Sequence, residues 1–324
     1  MVSANRRAIV CFTALTLLGF LFAYLTLSSG SVDVRWSDLG WRCVPYHNMQ
    51  HQIFWEIRFP RMVAAVLSGI ALAVSGLSLQ TLFKNPLAGP FVLGISSGAS
   101  FGVALSLLAG FSFGHLGVLG AASAGALAVT ALVVWVASRF EKSSVLLIVG
   151  LLIGYFIDAL VSLLIANSDA ESLRVYVSWG MGSFGRLTYD GLWLFAAAVL
   201  AGVILVALSV KYLNAVRLGD DFARGVGLNV KRGRALVLLG ASILAAACTA
   251  YCGPVAFVGI AVPHLAYLLF KTSNHRVLLP GASLCGMVLC LAASLFNTVP
   301  LNAVLSLVGV HVILWVVVRG GRMS

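Results

Sequence analysis

The stretch SSVLLIVGLLIGYFIDALVSLLI, residues 143–165, contains one ionisable side chain, Asp158. A helix needs about 20 apolar residues to cross the hydrocarbon core of a bilayer. Because lipid offers the backbone no hydrogen-bond partners, a crossing segment must be a helix or a strand of a closed barrel. Barrel strands alternate apolar and polar residues, and this stretch does not. It therefore predicts a membrane-spanning helix.

The whole chain has the same character. It has 324 residues, of which 60% are hydrophobic and 10% are charged, whereas soluble domains carry about 25% charged residues. Gly253-Pro254 divides one long apolar stretch in two, because proline cannot continue a helical hydrogen-bond ladder. We predict ten spans, at residues 8–28, 60–83, 91–109, 115–138, 144–167, 190–213, 235–252, 254–270, 277–297 and 302–318.

The distribution of the 21 Lys and Arg residues supports ten spans. Ten spans leave both termini on one side, together with fifteen of these cations, and six on the other side. The excess marks the cytoplasmic side, so topology explains the net charge of +11 without nucleic acid. The apolar run after Arg7 continues to Leu27 without a small-residue cleavage site. We therefore expect an uncleaved first span rather than a signal peptide.

Chemistry-bearing motifs are scarce. No G-x-x-x-x-G-K-[ST] phosphate loop occurs, so a nucleotide would have to bind to a partner. Ion-coupled carriers usually place ionisable residues within their spans. Here Asp158 is the only carboxylate well inside a predicted span, and His264 and His311 lie within the eighth and tenth spans. His47 and His51 lie four apart, but no third metal ligand is evident. We predict no metal, no cofactor and no catalytic residue, and a membrane enzyme would need a polar cluster that we do not find.

Several motifs in a fixed order resemble one family. They are Arg58-Phe-Pro-Arg61, Lys84-Asn-Pro-Leu-Ala88, Trp179-Gly-Met-Gly-Ser183, Leu218-Gly-Asp-Asp221, Phe257-Val-Gly259 and Val262-Pro-His264. From about residue 55 to the C-terminus, the chain is similar to permease subunits of ATP-binding-cassette importers for iron chelates, haem and vitamin B12, the FecCD-like family. Several motifs at matching spacing make this resemblance specific.

The resemblance implies an all-α fold with about ten transmembrane helices in one permease domain, residues 1–324. It implies import across a bacterial inner membrane by alternating access, with both termini cytoplasmic. The implied partners are a second copy, two cytoplasmic ATP-binding subunits and a periplasmic or lipid-anchored substrate-binding protein. An iron chelate is the first choice of cargo, with haem and cobalamin open. The alternative is an ion-coupled secondary transporter of a small solute.

Two sets of partner-binding residues follow from the resemblance. The cytoplasmic segment, about residues 213–234, is expected to couple to the ATP-binding subunit through Leu218, Gly219, Asp220, Asp221, Ala223 and Gly227. Its sequence reads as a short amphipathic helix with two acids in the first turn. On the outer side, Arg58 and Arg61 would share a helix face and bind carboxylates of the binding protein. The alternative is that both arginines are interfacial residues whose charged ends reach water.

Four residues are candidates for the passage or a gate: Asp158, Gly180, Gly182 and His311. Asp158 either faces a water-filled cavity or pairs within the bundle. His311 is expected to face neighbouring helices or the passage rather than lipid. Four features depart from the family pattern. They are Gly89 in place of an acid, Tyr267 in place of a base, a shortened 296–301 segment without an arginine, and His311 in place of a proline.

Overall fold

A computed structural model of the chain describes residues 2–30, 32, 49–111, 117–140, 143–296 and 299–320. The sequence predictions that concern His47, residues 297–298 and the cations Arg35, Arg42, Lys142 and Arg322 lie outside this part of the chain. Within it the structure is helical. The prediction of about ten spans is confirmed, because seven helices are long and apolar enough to cross a membrane and three shorter apolar helices join them.

The spans begin and end close to the predicted positions. They are α1 (Val2–Ser28), α3 (Phe59–Phe83), α4 (Ile95–Leu107), α5 (Gly117–Arg139), α6 (Ser143–Ala166), α8 (Tyr189–Leu208), α11 (Val230–Cys252), α12 (Val258–Phe270), α13 (His275–Ser294) and α14 (Leu301–Gly320). Four shorter helices lie between them: α2 (Met49–Gln52), α7 (Ala170–Gly180), α9 (Val210–Val216) and α10 (Asp220–Gly225). A π-helical turn, Ile53–Arg58, connects α2 to α3.

Two helices form the centre of the bundle. In the apolar windows of α11 and of the helical run Met49–Phe83 that contains α3, 72% of residues are buried, against 17% for α6. Around this centre, α3 packs against α8, α11, α12 and α13, while α4 packs against α5 and α6. Small residues allow these close approaches between helices. A Cβ atom on Gly102 would lie 2.0 Å from the Ala121 carbonyl oxygen, and one on Gly98 would lie 2.6 Å from the Gly125 carbonyl oxygen.

The break between the seventh and eighth spans lies at the predicted residues. Helix α11 ends at Cys252, and Gly253 has a φ of 78°, which glycine adopts without the steric cost of a side chain. Helix α12 begins at Val258, four residues later than the sequence suggested. Inside α12, Pro263 lacks the N–H that would bond to the Gly259 carbonyl. The buried Gln80 amide supplies donors there, with Nε2 3.5 Å from Gly259 O and 3.1 Å from Ile260 O.

Candidate functional site

The predicted coupling segment, about residues 213–234, forms the expected short helix between the sixth and seventh spans. Helix α10 covers Asp220–Gly225 and is flanked by Gly219, with a φ of 123°, and Gly227, with a φ of 80°. Both values favour glycine, so the two glycines let the chain turn sharply into and out of the helix. Asp220 and Asp221 lie in its first turn, where the helix dipole favours negative charge.

The two aspartates of α10 have different surroundings. Asp220 Oδ2 lies 2.9 Å from Nη2 of Arg234, a residue of α11 whose side chain is buried. Ala223, one turn further on, is fully buried. Asp221 is exposed and pairs only with the exposed Arg224, at 3.4 Å, among the described residues. Asp220 and Ala223 therefore attach the helix to its own bundle, whereas Asp221 points away from the bundle.

The opposite side of this segment carries apolar side chains in solvent. Leu218, Phe222 and Val226 are 70%, 47% and 55% exposed. Phe222 lies within α10, Leu218 precedes the turn at Gly219, and Val226 directly follows the helix. We call these three residues the coupling stripe. Contiguous exposed apolar surface on a water-facing segment is typical of a protein–protein contact.

A polar cluster connects the coupling segment to two spans. His275, at the start of α13, is fully buried, and its Nε2 lies 2.8 Å from Thr81 Oγ1 at the end of α3. Its backbone N–H donates to Asn214 Oδ1 of α9 over 2.9 Å. Arg217 Nη1 donates to the Ser273 carbonyl over 2.6 Å. Sequence reasoning missed this cluster, because Asn214 and His275 are 61 positions apart.

On the outer side, Arg58 lies inside the bundle at only 6% exposure. Its Nη1 donates to the carbonyls of Leu27 and Ser28, the last two residues of α1, over 2.8 and 2.9 Å. Its Nη2 donates to the Val32 carbonyl. The last carbonyls of a helix have no partner within the helix and carry partial negative charge. Arg58 therefore fastens the end of the first span to the start of the second.

Arg61 likewise binds the carbonyl end of another helix. Its Nη2 donates over 2.8 Å to the carbonyl of Ser294, the last residue of α13, and its side chain is half-buried. The two arginines three positions apart thus cap two different spans. The structure neither tests nor excludes their binding to a partner's carboxylates, so the predicted docking role stays a prediction. What it adds is a structural role that the sequence did not reveal.

A third arginine organises the region around the candidate gate glycines. Arg186 Nη1 donates to the Trp179 carbonyl over 2.9 Å and Nη2 to the Ser178 carbonyl over 2.6 Å, at the end of α7. Gly182 has a φ of 72°, and a Cβ there would meet Pro254 O at 3.1 Å. Gly180 has open space at its Cβ position. Of the two glycines, only Gly182 is required by the local backbone.

The other passage candidates lie on the surface of the chain. Asp158 is exposed on α6, and its carboxylate makes no hydrogen bond to any described residue. His311 is exposed on α14, and its Nδ1 donates to the Leu307 carbonyl over 2.6 Å. Among the described residues, no hydrogen bond or ion pair joins Asp158 to His311. Burial and, secondarily, the charge of nearby Asp158 raise the pKa of Tyr176 on α7.

Comparisons with known proteins agree over nearly the full length. Residues 15–319 match the FecCD transport family. The chain is 36% identical over 321 residues to the hemin transport system permease protein HmuU of Yersinia pestis, covering 94% of this chain and 95% of that protein. It is 32% identical over 327 residues to the vitamin B12 import system permease protein BtuC of Salmonella typhi, covering 98% of each.

Solved structures show the same arrangement of helices. A chain from an inward-facing metal-chelate type ABC transporter superposes with a TM-score of 0.84 at 30% identity, covering 96% of this chain and 99% of that chain. A chain of PsaBC from Streptococcus pneumoniae, at 17% identity and a TM-score of 0.52, shares the fold over 78% of this chain and 88% of its own.

Proposed function

Because this chain belongs to the FecCD transport family, we propose that it is the membrane-spanning subunit of an ATP-driven importer. The chain is a multi-pass ABC transporter permease. In the proposed transporter it is one permease domain in a bacterial inner membrane, with both termini in the cytoplasm. Two copies surround a shared passage, two ATP-binding subunits lie below them, and a substrate-binding protein delivers cargo from outside.

The observation that carries this proposal is the coupling stripe together with the missing phosphate loop. The chain has no G-x-x-x-x-G-K-[ST] phosphate loop, and its cytoplasmic segment exposes Leu218, Phe222 and Val226 within nine residues. An ATP-binding subunit would cover that face. Because Asp220 pairs with Arg234 and His275 bonds to Asn214, a push on this segment would reach α11, α3 and α13 directly. Closure of the ATP-binding subunits would thereby change which side of the membrane the bundle opens to.

The cargo belongs to a narrow chemical range. The named relatives carry hemin and vitamin B12, and the solved relative is of metal-chelate type. These are all metal ions enclosed in a large organic ligand. We propose such a complex for this chain, with an iron chelate as the first candidate and haem or cobalamin as the others.

The proposed docking site for the binding protein is the outer end of α3. Arg61 is the sharper test residue, because it is half-buried and caps α13 through one hydrogen bond, whereas Arg58 is almost fully enclosed. Arg61→Glu should weaken binding-protein stimulation of ATP hydrolysis, more strongly at low salt because rim charges act mainly on association rate. Unchanged binding-protein affinity at low salt would return Arg61, and with it Arg58, to a purely structural role.

Reconstitution tests the proposed function. The purified chain and its cognate ATP-binding subunit are reconstituted in liposomes. ATP is supplied on the side that the ATP-binding subunit faces. Uptake of a radioactive ferric chelate, delivered by the binding protein, is then measured. We expect uptake only with hydrolysable ATP. Uptake driven by a proton or sodium gradient in liposomes that lack the ATP-binding subunit would identify a secondary transporter instead.

A further inference from the structure

Helix α3 joins the two ends of the bundle at which partners are proposed to bind. Arg61 lies in its first turn, and Thr81 lies in its last turn. The helix packs against α8, α11, α12 and α13, and 72% of the apolar window of its helical run is buried. Close-packed interiors transmit displacement, so such a helix moves together with its neighbours. The contacts at the Thr81 end therefore decide which other elements move with α3.

Two hydrogen bonds hold the Thr81 end of α3 to neighbouring helices. Gln80 Nε2 lies 3.1 Å from the Ile260 carbonyl oxygen in α12. Thr81 Oγ1 lies 2.8 Å from Nε2 of His275, the first residue of α13. The residues Gln80, Thr81 and His275 are buried, and breaking a buried hydrogen bond leaves its partner group desolvated and unsatisfied. The end of α3 is therefore fixed to α12 and to the start of α13.

Backbone geometry assigns the proton on the His275 ring. The backbone N–H of His275 donates to Asn214 Oδ1 over 2.9 Å, which identifies that atom as the amide oxygen. Nδ1 of the ring lies 2.9 Å from the same oxygen, so Nδ1 carries a proton and donates to it. In the neutral ring, Nε2 is then an acceptor for the Thr81 hydroxyl. One imidazole thus connects Asn214 to Thr81.

Asn214 continues this connection to the coupling segment. It belongs to α9, which ends at Val216, and α10 begins at Asp220. In the turn between these helices, Arg217 donates to the Ser273 carbonyl over 2.6 Å. Asn214 and Arg217 therefore fasten the end of α9 to the turn that precedes α13. A displacement of α10 would pass through α9 to the His275 ring.

We propose that His275 and Asn214 are positioning residues that carry the state of the ATP-binding subunit to α3, and through α3 to the end of the bundle where the binding protein docks. This inference rests on the proposed function, because it needs both partners. The route is α10, α9, His275, Thr81 and α3. A second connection exists, because the Asp220–Arg234 pair joins α10 to α11, which also packs against α3. Loss of the first route should therefore weaken communication between the partners without abolishing it.

The Thr81 hydroxyl can be removed with little change in side-chain shape. Thr81→Val deletes it, and Thr81→Ser keeps it. Thr26→Val is the matched control, because Thr26 is equally buried, at 6%, and its hydroxyl lies 3.0 Å from Ser294 Oγ, between α1 and α13. Each variant is assembled with the ATP-binding subunit in liposomes. The ferric chelate is delivered on saturating binding protein, so that a change in docking affinity does not contribute.

Two ratios are measured in each protein. The first is the rate of ATP hydrolysis with the binding protein divided by the rate without it. The second is the amount of chelate imported per ATP hydrolysed. Both ratios are internal to the assembled transporter, so a lower yield of folded variant does not change them. A purely structural role for Thr81 would lower the yield and leave both ratios at their native values.

We expect Thr81→Val to lower both ratios about fivefold, the factor that one neutral hydrogen bond contributes to an equilibrium constant. Thr81→Ser and Thr26→Val should keep the native ratios. His275→Asn retains a donor near the position of Nδ1 and loses the acceptor that faces Thr81. It should therefore match Thr81→Val, and it breaks the same bond from the other side if Thr81→Val does not assemble. The double variant should lose no more than either single variant.

Equal ratios in Thr81→Val, His275→Asn and Thr26→Val, in a native transporter that imports the chelate, would overturn the route through His275. Additive losses in the double variant would also overturn it, because the two substitutions would then act on separate interactions. A different result would contradict the proposed function and leave the route standing. In that case the binding protein stimulates ATP hydrolysis in a manner that depends on Thr81, yet the native transporter imports no chelate.

Discussion

At one end of the bundle, Arg58 and Arg61 donate to carbonyls of the chain's own helix ends, whereas at the opposite end Leu218, Phe222 and Val226 are exposed. Both regions stand out in the sequence for the same reason, a match to motifs of one family. Their contacts separate them. Arg58 and Arg61 already make hydrogen bonds that hold the chain's own helices together, whereas the side chains of the coupling stripe are exposed.

This difference shows which functional assignment has independent physical support. An arginine at a helix end is attracted to carbonyls and to a partner's carboxylates alike, so its presence alone does not choose between them. Three apolar side chains in water have no comparable internal use, and their burial by a partner would be favourable. We therefore expect variants of the coupling stripe to lose binding to the ATP-binding subunit. Variants of Arg58 and Arg61 should lose folding stability first.

The largest effect is expected at the coupling stripe. Leu218→Asp combined with Phe222→Asp should abolish assembly with the ATP-binding subunit, because two charges would have to be buried in the contact. Copurification of the two subunits measures it. Leu218→Met with Phe222→Leu is the matched control and should assemble normally. Equal copurification of the aspartate variant would show that the partner does not cover this face.

The next effect is expected at Arg58. Arg58→Met removes charged donors from the two carbonyls that end α1, and should lower the free energy of unfolding by about 3 kcal/mol, since hydrogen bonds to charged groups contribute about 1.5–3 kcal/mol each. Arg61→Met removes one such bond and should cost about half as much. Thermal unfolding of the purified chain in detergent compares them. Two variants of wild-type stability would leave both arginines free for docking.

A smaller effect separates the two aspartates of α10. Asp220→Asn weakens the pair with buried Arg234 and should cost about 1–2 kcal/mol, a value reduced because Asp220 is partly in water. Asp221→Asn should leave stability unchanged, since its partner Arg224 is exposed. Chemical denaturation of the detergent-solubilised chain distinguishes them. Equal losses would mean that the direction assigned to each carboxylate is wrong.

An effect of similar size is expected at one of the two candidate gate glycines. Gly182→Ala forces a side chain into the left-handed region beside Pro254 O and should cost about 1–2 kcal/mol. Gly180→Ala meets open space in an α-helix and should be neutral or slightly stabilising. Thermal unfolding again measures both. A destabilised Gly180→Ala variant with a stable Gly182→Ala variant would reverse the assignment of the structural glycine.

The sequence was sufficient for features that depend on neighbouring residues. Apolar run length located the ten spans, Gly253-Pro254 located the break before α12, and the acids of α10 marked a helix start. It was insufficient where the partner lies far along the chain. Nothing near Arg58 indicates that its donors reach Leu27 and Ser28, some 30 positions away.

The sequence also does not show the direction in which a side chain points. Asp220 and Asp221 are adjacent and chemically identical, yet only the fold decides which one meets Arg234. For the same reason the sequence left two environments open for Asp158. Gly150 and Gly154 bring one side of α6 against α4 and the turn before it. This packing decides that Asp158 lies on an exposed side of the helix.

Hydrogen exchange of the assembled transporter tests the contrast between the two faces most directly. Backbone amides are compared in the chain alone and in complex with the ATP-binding subunit, with mass spectrometry resolving residues 217–228 and 180–186. We predict strong additional protection across 217–228, because the partner covers the coupling stripe, and little change across 180–186, where Arg186 already ties the backbone together. A stable complex in which residues 217–228 exchange as fast as in the free chain would contradict the account.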